Sequence, residues 1–160
     1  MRFRLLAPMV CLGLLVALVY SLLPGPDSEA LAASKQVTDA VTVIKSDVGW
    51  GQRLRAFEIL KREGSSDAIA ELVKLTGHQD VRVSATACTA LARMKSDASK
   101  GKLKDLIADT SEDAGLRRAA MNALARHGTS SDRAWIETKA KSDPDLATQF
   151  SVLESMKLWK

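Results

Sequence analysis

Side chains able to do chemistry are few in this chain of 160 residues. His78 and His127 are the only histidines, and Cys11 and Cys88 the only cysteines. A zinc site needs three or four ligands, and neither histidine has a second His or a Cys at ligand spacing. His127 stands beside Gly128 where a helical pattern stops, a place where a cation suits the helix dipole. His78 falls in a link between two such patterns. Cys88 sits among Ala87, Thr89 and Ala90 and reads as a small packing residue. Cys11 lies in an apolar N-terminal run, so the body of the chain cannot build an intrachain disulfide framework. No phosphate-cradling glycine loop, nucleophile elbow or metalloprotease helix is present. These residues predict no catalytic, cofactor-binding or metal site, and no enzyme.

Charge and aromatic residues point to binding instead. The 23 basic and 19 acidic side chains leave a net charge of +4, mild and well mixed, which argues against nucleic acid. Lys74, Lys102, Lys104 and Lys139 suggest a basic stripe until they are aligned. One exposed position then holds Glu71, Lys102 and Trp135 in turn, and another holds Lys74, Asp105 and Thr138, so like charges do not stack. Trp135 replaces charged residues in that alignment, and exposed tryptophan is enriched at binding hot spots. It is the candidate partner-binding residue, for a protein whose identity the sequence does not reveal. Trp50 and Trp159 are placed to cover the two ends of the body.

The elements that must position these residues begin with an apolar segment. Leu5 to Leu23 is an uncharged run of 19 residues, about 28 Å long as a helix and close to the thickness of a bilayer. Arg2 and Arg4 precede it and Asp27 and Glu29 follow it, a bias that keeps the N-terminus cytoplasmic and exports the remainder. Residues 1–33 are therefore expected to be a transmembrane anchor with a Pro/Gly spacer or a signal peptide cleaved near Ala32. Either fate places the body in the periplasm or outside the cell. Residues 34–46 form one short leading helix, with Val37, Ala40, Val41 and Ile44 at helical spacing.

From about Asp47 the chain repeats itself, and proline is absent between residues 34 and 143. Ala120, Ala123 and Leu124 share one helix face; Ala87, Ala90 and Leu91 repeat it upstream, as do Ala56, Ile59 and Leu60. Val152, Ser155 and Met156 form a weaker fourth copy. A second helix aligns Leu72 with Leu103 and Ile136, and Thr76 with Ile107 and Ala140. Asp80, Asp113 and Asp145 precede first helices, where Asp caps well. Gly64 and Gly128 end first helices, a position that favours the left-handed conformation. The prediction is an all-α body, a short α-solenoid of about three and a half helical hairpins over 47–160, each too small-faced to stand alone.

The run Leu116-Arg117-Arg118-Ala119-Ala120-Met121-Asn122-Ala123-Leu124 resembles the first helix of HEAT-like repeats, of the short kind found in phycobilin-lyase-related proteins. The first copy matches well with Arg53. Ser84 stands in place of the arginine in the second copy, with Arg82 close by, and Gln149 stands there in the fourth. The resemblance implies an α-solenoid with a general role in protein–protein interaction, and no chemistry. It also implies that Arg53 and Arg117, which beside Asp113 could be read as an anion site, pair with nearby aspartates as a ladder between units. The combined expectation is an interaction or scaffold module of the cell envelope. The alternatives are a membrane-tethered spacer and, by analogy with bilin-handling relatives of the repeat, an accessory to an enzyme.

Overall fold

The structure, a computed structural model, describes residues 26–94 and 96–158. All its regular structure there is helical. The elements are α1 (Pro26–Lys45), α2 (Trp50–Glu63), α3 (Ser66–Thr76), α4 (Val81–Arg93), α5 (Asp97–Ala108), α6 (Ala114–His127), α7 (Ser130–Lys141) and α8 (Leu146–Lys157). The chain divides into two units, Met1–Lys35 and Gln36–Lys160. The apolar segment 5–23 and Trp159 lie outside the described residues. Among the described residues no helix is long and apolar enough to cross a membrane.

The leading helix starts earlier than the apolar spacing requires. It runs from Pro26 rather than from about residue 34, because proline with its fixed φ is well suited to the first helical position, where its missing N–H costs nothing. Part of the expected spacer is thus helical. Within the second unit Val37, Ala40 and Ile44 of this helix are buried.

The rest alternates first helices (α2, α4, α6, α8) with second helices (α3, α5, α7). Each first helix packs on the first helix of the next unit, and each hairpin closes on its own second helix. Alanine is what permits this approach. Ala56, Ala87 and Ala120 are 3% exposed or less, and Leu60, Leu91 and Leu124 beside them at most 1%. Short side chains let neighbouring backbones come close while leucines fill the space between. Leu72, Leu103 and Ile136 are fully buried on the second helices, so the core runs continuously from one hairpin to the next. In α8 Val152 keeps its place in the core, but Leu146 and Phe150 are 75% and 71% exposed.

Helix ends follow local chemistry. Asp80, Asp113 and Asp145 each accept a backbone N–H of the helix they precede, and Ser65 does so for α3. The two glycines paired by alignment differ. Gly64 has φ +61° and carries the left-handed cap expected of it. Gly128 has φ −79° and ψ −174°, extended backbone that any residue adopts. It is required for space: a Cβ there would lie 2.4 Å from the Leu124 carbonyl oxygen and 2.9 Å from the Asp132 Cβ.

Candidate functional site

The side chain at the ladder position, arginine in two copies, has a structural role in each unit. Arg117 is 3% exposed, and its Nε and Nη2 each donate to a carboxylate oxygen of Asp143 at 2.9 Å. Its partner is this aspartate in the following inter-unit link, not Asp113, which caps α6. Arg53 reaches Asp80 at 3.3 Å and donates to the Ser46 carbonyl at 2.9 Å. The positions that lack arginine do half of the same work. Ser84 Oγ donates to the Thr76 carbonyl at 2.6 Å, and Gln149 Nε2 to the Asp143 carbonyl at 2.7 Å. Arg117 Nη1 likewise reaches the Thr110 carbonyl at 3.4 Å. In all four copies, then, this side chain donates to a backbone carbonyl six to eight residues upstream, where the chain turns between units and backbone acceptors need partners. At Arg117 an anion would have to displace these bonds, since Nε, Nη1 and Nη2 are all engaged. The Arg117 guanidinium holds the Asp143 carboxyl below the usual carboxylate range, against burial, which raises it.

The histidines and the cysteine have equally local roles. His78 Nδ1 accepts the Asp80 backbone N–H at 3.0 Å, as Asp143 Oδ1 accepts that of Asp145 at 2.9 Å in the last link. His127 ends α6, but burial, with Arg126 and Arg93 nearby, lowers its pKa. It therefore sits at the helix end as a neutral ring at pH 7, not as the cation that the dipole favours. Cys88 is fully buried, and burial pushes its thiol up to about 12. The reactive species is the thiolate, so an alkylating reagent at pH 8 should leave Cys88 unmodified in the native chain and label it fully in denaturant. Peptide mapping separates it from Cys11, and rapid native labelling of Cys88 would refute its structural role. No group of three or more His, Cys, Asp or Glu side chains suited to a metal occurs among the described residues.

What remains is the surroundings of Trp135, and here the alignment of positions was misleading. Trp135 on α7 is half-buried against the core, with Lys104 Nζ 5.5 Å and Lys139 Nζ 5.7 Å from its ring centre. Lys104 comes from α5, the second helix of the preceding unit. Comparing one position at a time kept these lysines apart, whereas four-carbon stems carry their ammonium groups across to a neighbouring helix. Lys104 is held in place by Asp132, at 2.8 Å, and Lys100 stands 3.5 Å from the same carboxylate. Asp132 is 3% exposed. Burial would raise its pKa, but hydrogen bonds from Lys104 and from Thr129 outweigh this and hold it well below its ordinary value. It also completes a capping box with Thr129 at the start of α7. The result is an aromatic face flanked by two cations, fixed from beneath by a buried carboxylate. Such a face binds acidic or aromatic groups through charge and stacking. Trp50, at the start of the first helix α2, is half-buried with the Arg82 guanidinium 5.1 Å from its ring centre.

The family of HEAT repeats matches residues 39–124, more than half of the chain. The chain belongs to the HEAT-repeat family. Among solved structures it is similar to human deoxyhypusine hydroxylase in complex with glycerol, at 19% identity and a TM-score of 0.61. The similarity covers 83% of this HEAT-repeat chain but 46% of the hydroxylase, so the chain spans under half of that enzyme. At this identity the likeness concerns the helical solenoid alone. A search of the curated proteins finds no match.

Proposed function

We propose that this HEAT-repeat chain is a binding module of the cell envelope that captures a protein partner on its second-helix face at Trp135. The observation that carries this reading is the half-buried Trp135 ring set between Lys104 and Lys139, drawn from two successive hairpins. A large, rigid side chain held in place before binding loses little entropy when a partner covers it. The basic start, the apolar run Leu5–Leu23 and the acidic residues after it support export, whether residues 5–23 stay as an anchor or cleavage near Ala32 releases the body. The reading is binding rather than catalysis, and the likeness to the hydroxylase at 19% identity supports the helical solenoid alone.

The test is a photo-crosslinking residue placed at the exposed Lys102, which holds in the preceding unit the position of Trp135, in cells that express the protein with its own N-terminal segment. Trp135→Ala should lower the yield of the crosslinked partner about tenfold or more, as expected of a tryptophan hot spot, with a melting temperature within a few degrees of the parent. Equal yields from both proteins would refute the site. Crosslinks to cytoplasmic proteins only would refute the envelope.

A further inference from the structure

The first-helix face carries a feature that the Trp135 site does not use. Arg62, Arg93 and Arg126 occupy the same position in three successive units, in the last turns of α2, α4 and α6, and all three are exposed. The spacing of 31 and 33 residues that brings Ala56, Ala87 and Ala120 into line does the same for them. Neither α4 nor α6 contains an Asp or a Glu. Arg93 pairs at 3.2 Å with Glu58, which also pairs with Lys61, and Glu63 follows Arg62 in sequence. Burial lowers the pKa of His127, and Arg126 and Arg93 add to that.

A cation in the last turn of a helix complements its dipole, and that would account for each arginine singly. It does not account for arginine three times over, since lysine serves the dipole equally well. What separates the two is the planar guanidinium fork, which grips a carboxylate through two parallel hydrogen bonds. The spacing of the row is set by helix packing, about 8–10 Å between neighbouring axes. An extended peptide advances roughly 10 Å in three residues.

We propose that Arg62, Arg93 and Arg126 form a docking row for an extended acidic peptide segment with a carboxylate at every third residue. A nucleic-acid backbone suits the row less well. Phosphates are more closely spaced than the row, and the chain's net charge of +4 is mild.

The test uses the full-length chain in non-ionic detergent and two fluorescent peptides of about a dozen residues. Both contain the same aspartates, serines and glycines; one has Asp at every third position and the other has its aspartates clustered. At low salt the spaced peptide should bind at least threefold more tightly by anisotropy. Arg62→Gln, Arg93→Gln and Arg126→Gln should each weaken it about two- to fivefold, as exposed charge pairs do, and the triple variant by at least tenfold. Trp135→Ala should leave this binding unchanged, which separates the row from the other site. Should the triple glutamine variant also melt early, the triple lysine variant keeps the charges at the helix ends and should still bind about threefold more weakly than the parent. The proposal is overturned by equal binding of the two peptides, by equal binding to the triple lysine variant, or by readier displacement of the peptide by single-stranded DNA or phosphatidylglycerol vesicles.

Discussion

Arg117→Ala should lower the melting temperature by roughly 10–20 °C, corresponding to about 3–5 kcal/mol for removing one member of a buried ion pair. Most of this cost is not the lost attraction. It is the Asp143 carboxylate left behind at 5% exposure without its two donors, together with the Thr110 and Glu112 carbonyls that the same guanidinium serves. Asp143→Ala should cost a similar amount by stranding the guanidinium. Replacing both, as Arg117→Met with Asp143→Leu, should cost clearly less than either alone, since an apolar pair needs no hydrogen bonds. Arg117→Lys should fall in between, because a single ammonium cannot occupy both carboxylate oxygens and the loop carbonyls. Thermal melts by circular dichroism give the order directly, and a loss of under 3 °C for Arg117→Ala would sink the argument.

Acid should reveal the same pair. Its carboxyl has a lower pKa in the folded chain than the ordinary 3.8. The unfolded chain therefore binds the proton first as pH falls. The stabilisation is complete above about pH 5 and is lost as pH drops through the folded value. Asp132, also held low, adds to the fall in the same range. The Arg117→Ala variant, already deprived of the pair, should lose less stability than the parent between pH 4 and pH 2.

Gly128→Ala should cost about 2–4 kcal/mol, combining overpacking with damage to a helix cap. The new methyl would stand 2.4 Å from the Leu124 carbonyl oxygen, which already accepts the Gly128 N–H at 2.7 Å. Moving that oxygen unwinds the end of α6. Moving Asp132 instead breaks the box that starts α7 and the contacts to Lys100 and Lys104. Gly64→Ala meets no atom closer than 3.9 Å and should cost only the left-handed backbone, about 1–2 kcal/mol. Urea melts of the two variants should therefore rank Gly128→Ala as the more damaging. The reverse order would mean that handedness, not space, governs both turns.

The contrast between those glycines shows where sequence reasoning succeeded and where it stopped. Burial was legible because it follows period: the alanines and leucines that align every 31 to 33 residues are the ones that pack between hairpins. Caps were legible because Asp80, Asp113 and Asp145 act on their own helices within three residues. What failed depended on links and reach. Gly64 and Gly128 align, yet the two turns have different backbone geometry. The ladder itself was expected, but the aspartate that meets Arg117 lies two residues ahead of the aligned cap, in a link with no helical period. The lysines around Trp135 belong to other helix positions, and a comparison confined to equivalent positions passes over any side chain that leans across to a neighbour.

Stacking each hairpin against the next alone has a consequence for how such a chain comes apart. Its contacts join segments close in sequence, so closing loops costs little entropy and assembly can start at any unit and spread to its neighbours. The reverse holds as well: opening can begin at an outer hairpin and spread inward. A partner that spans several units would tie these partial openings together and turn a fraying stack into one cooperative body.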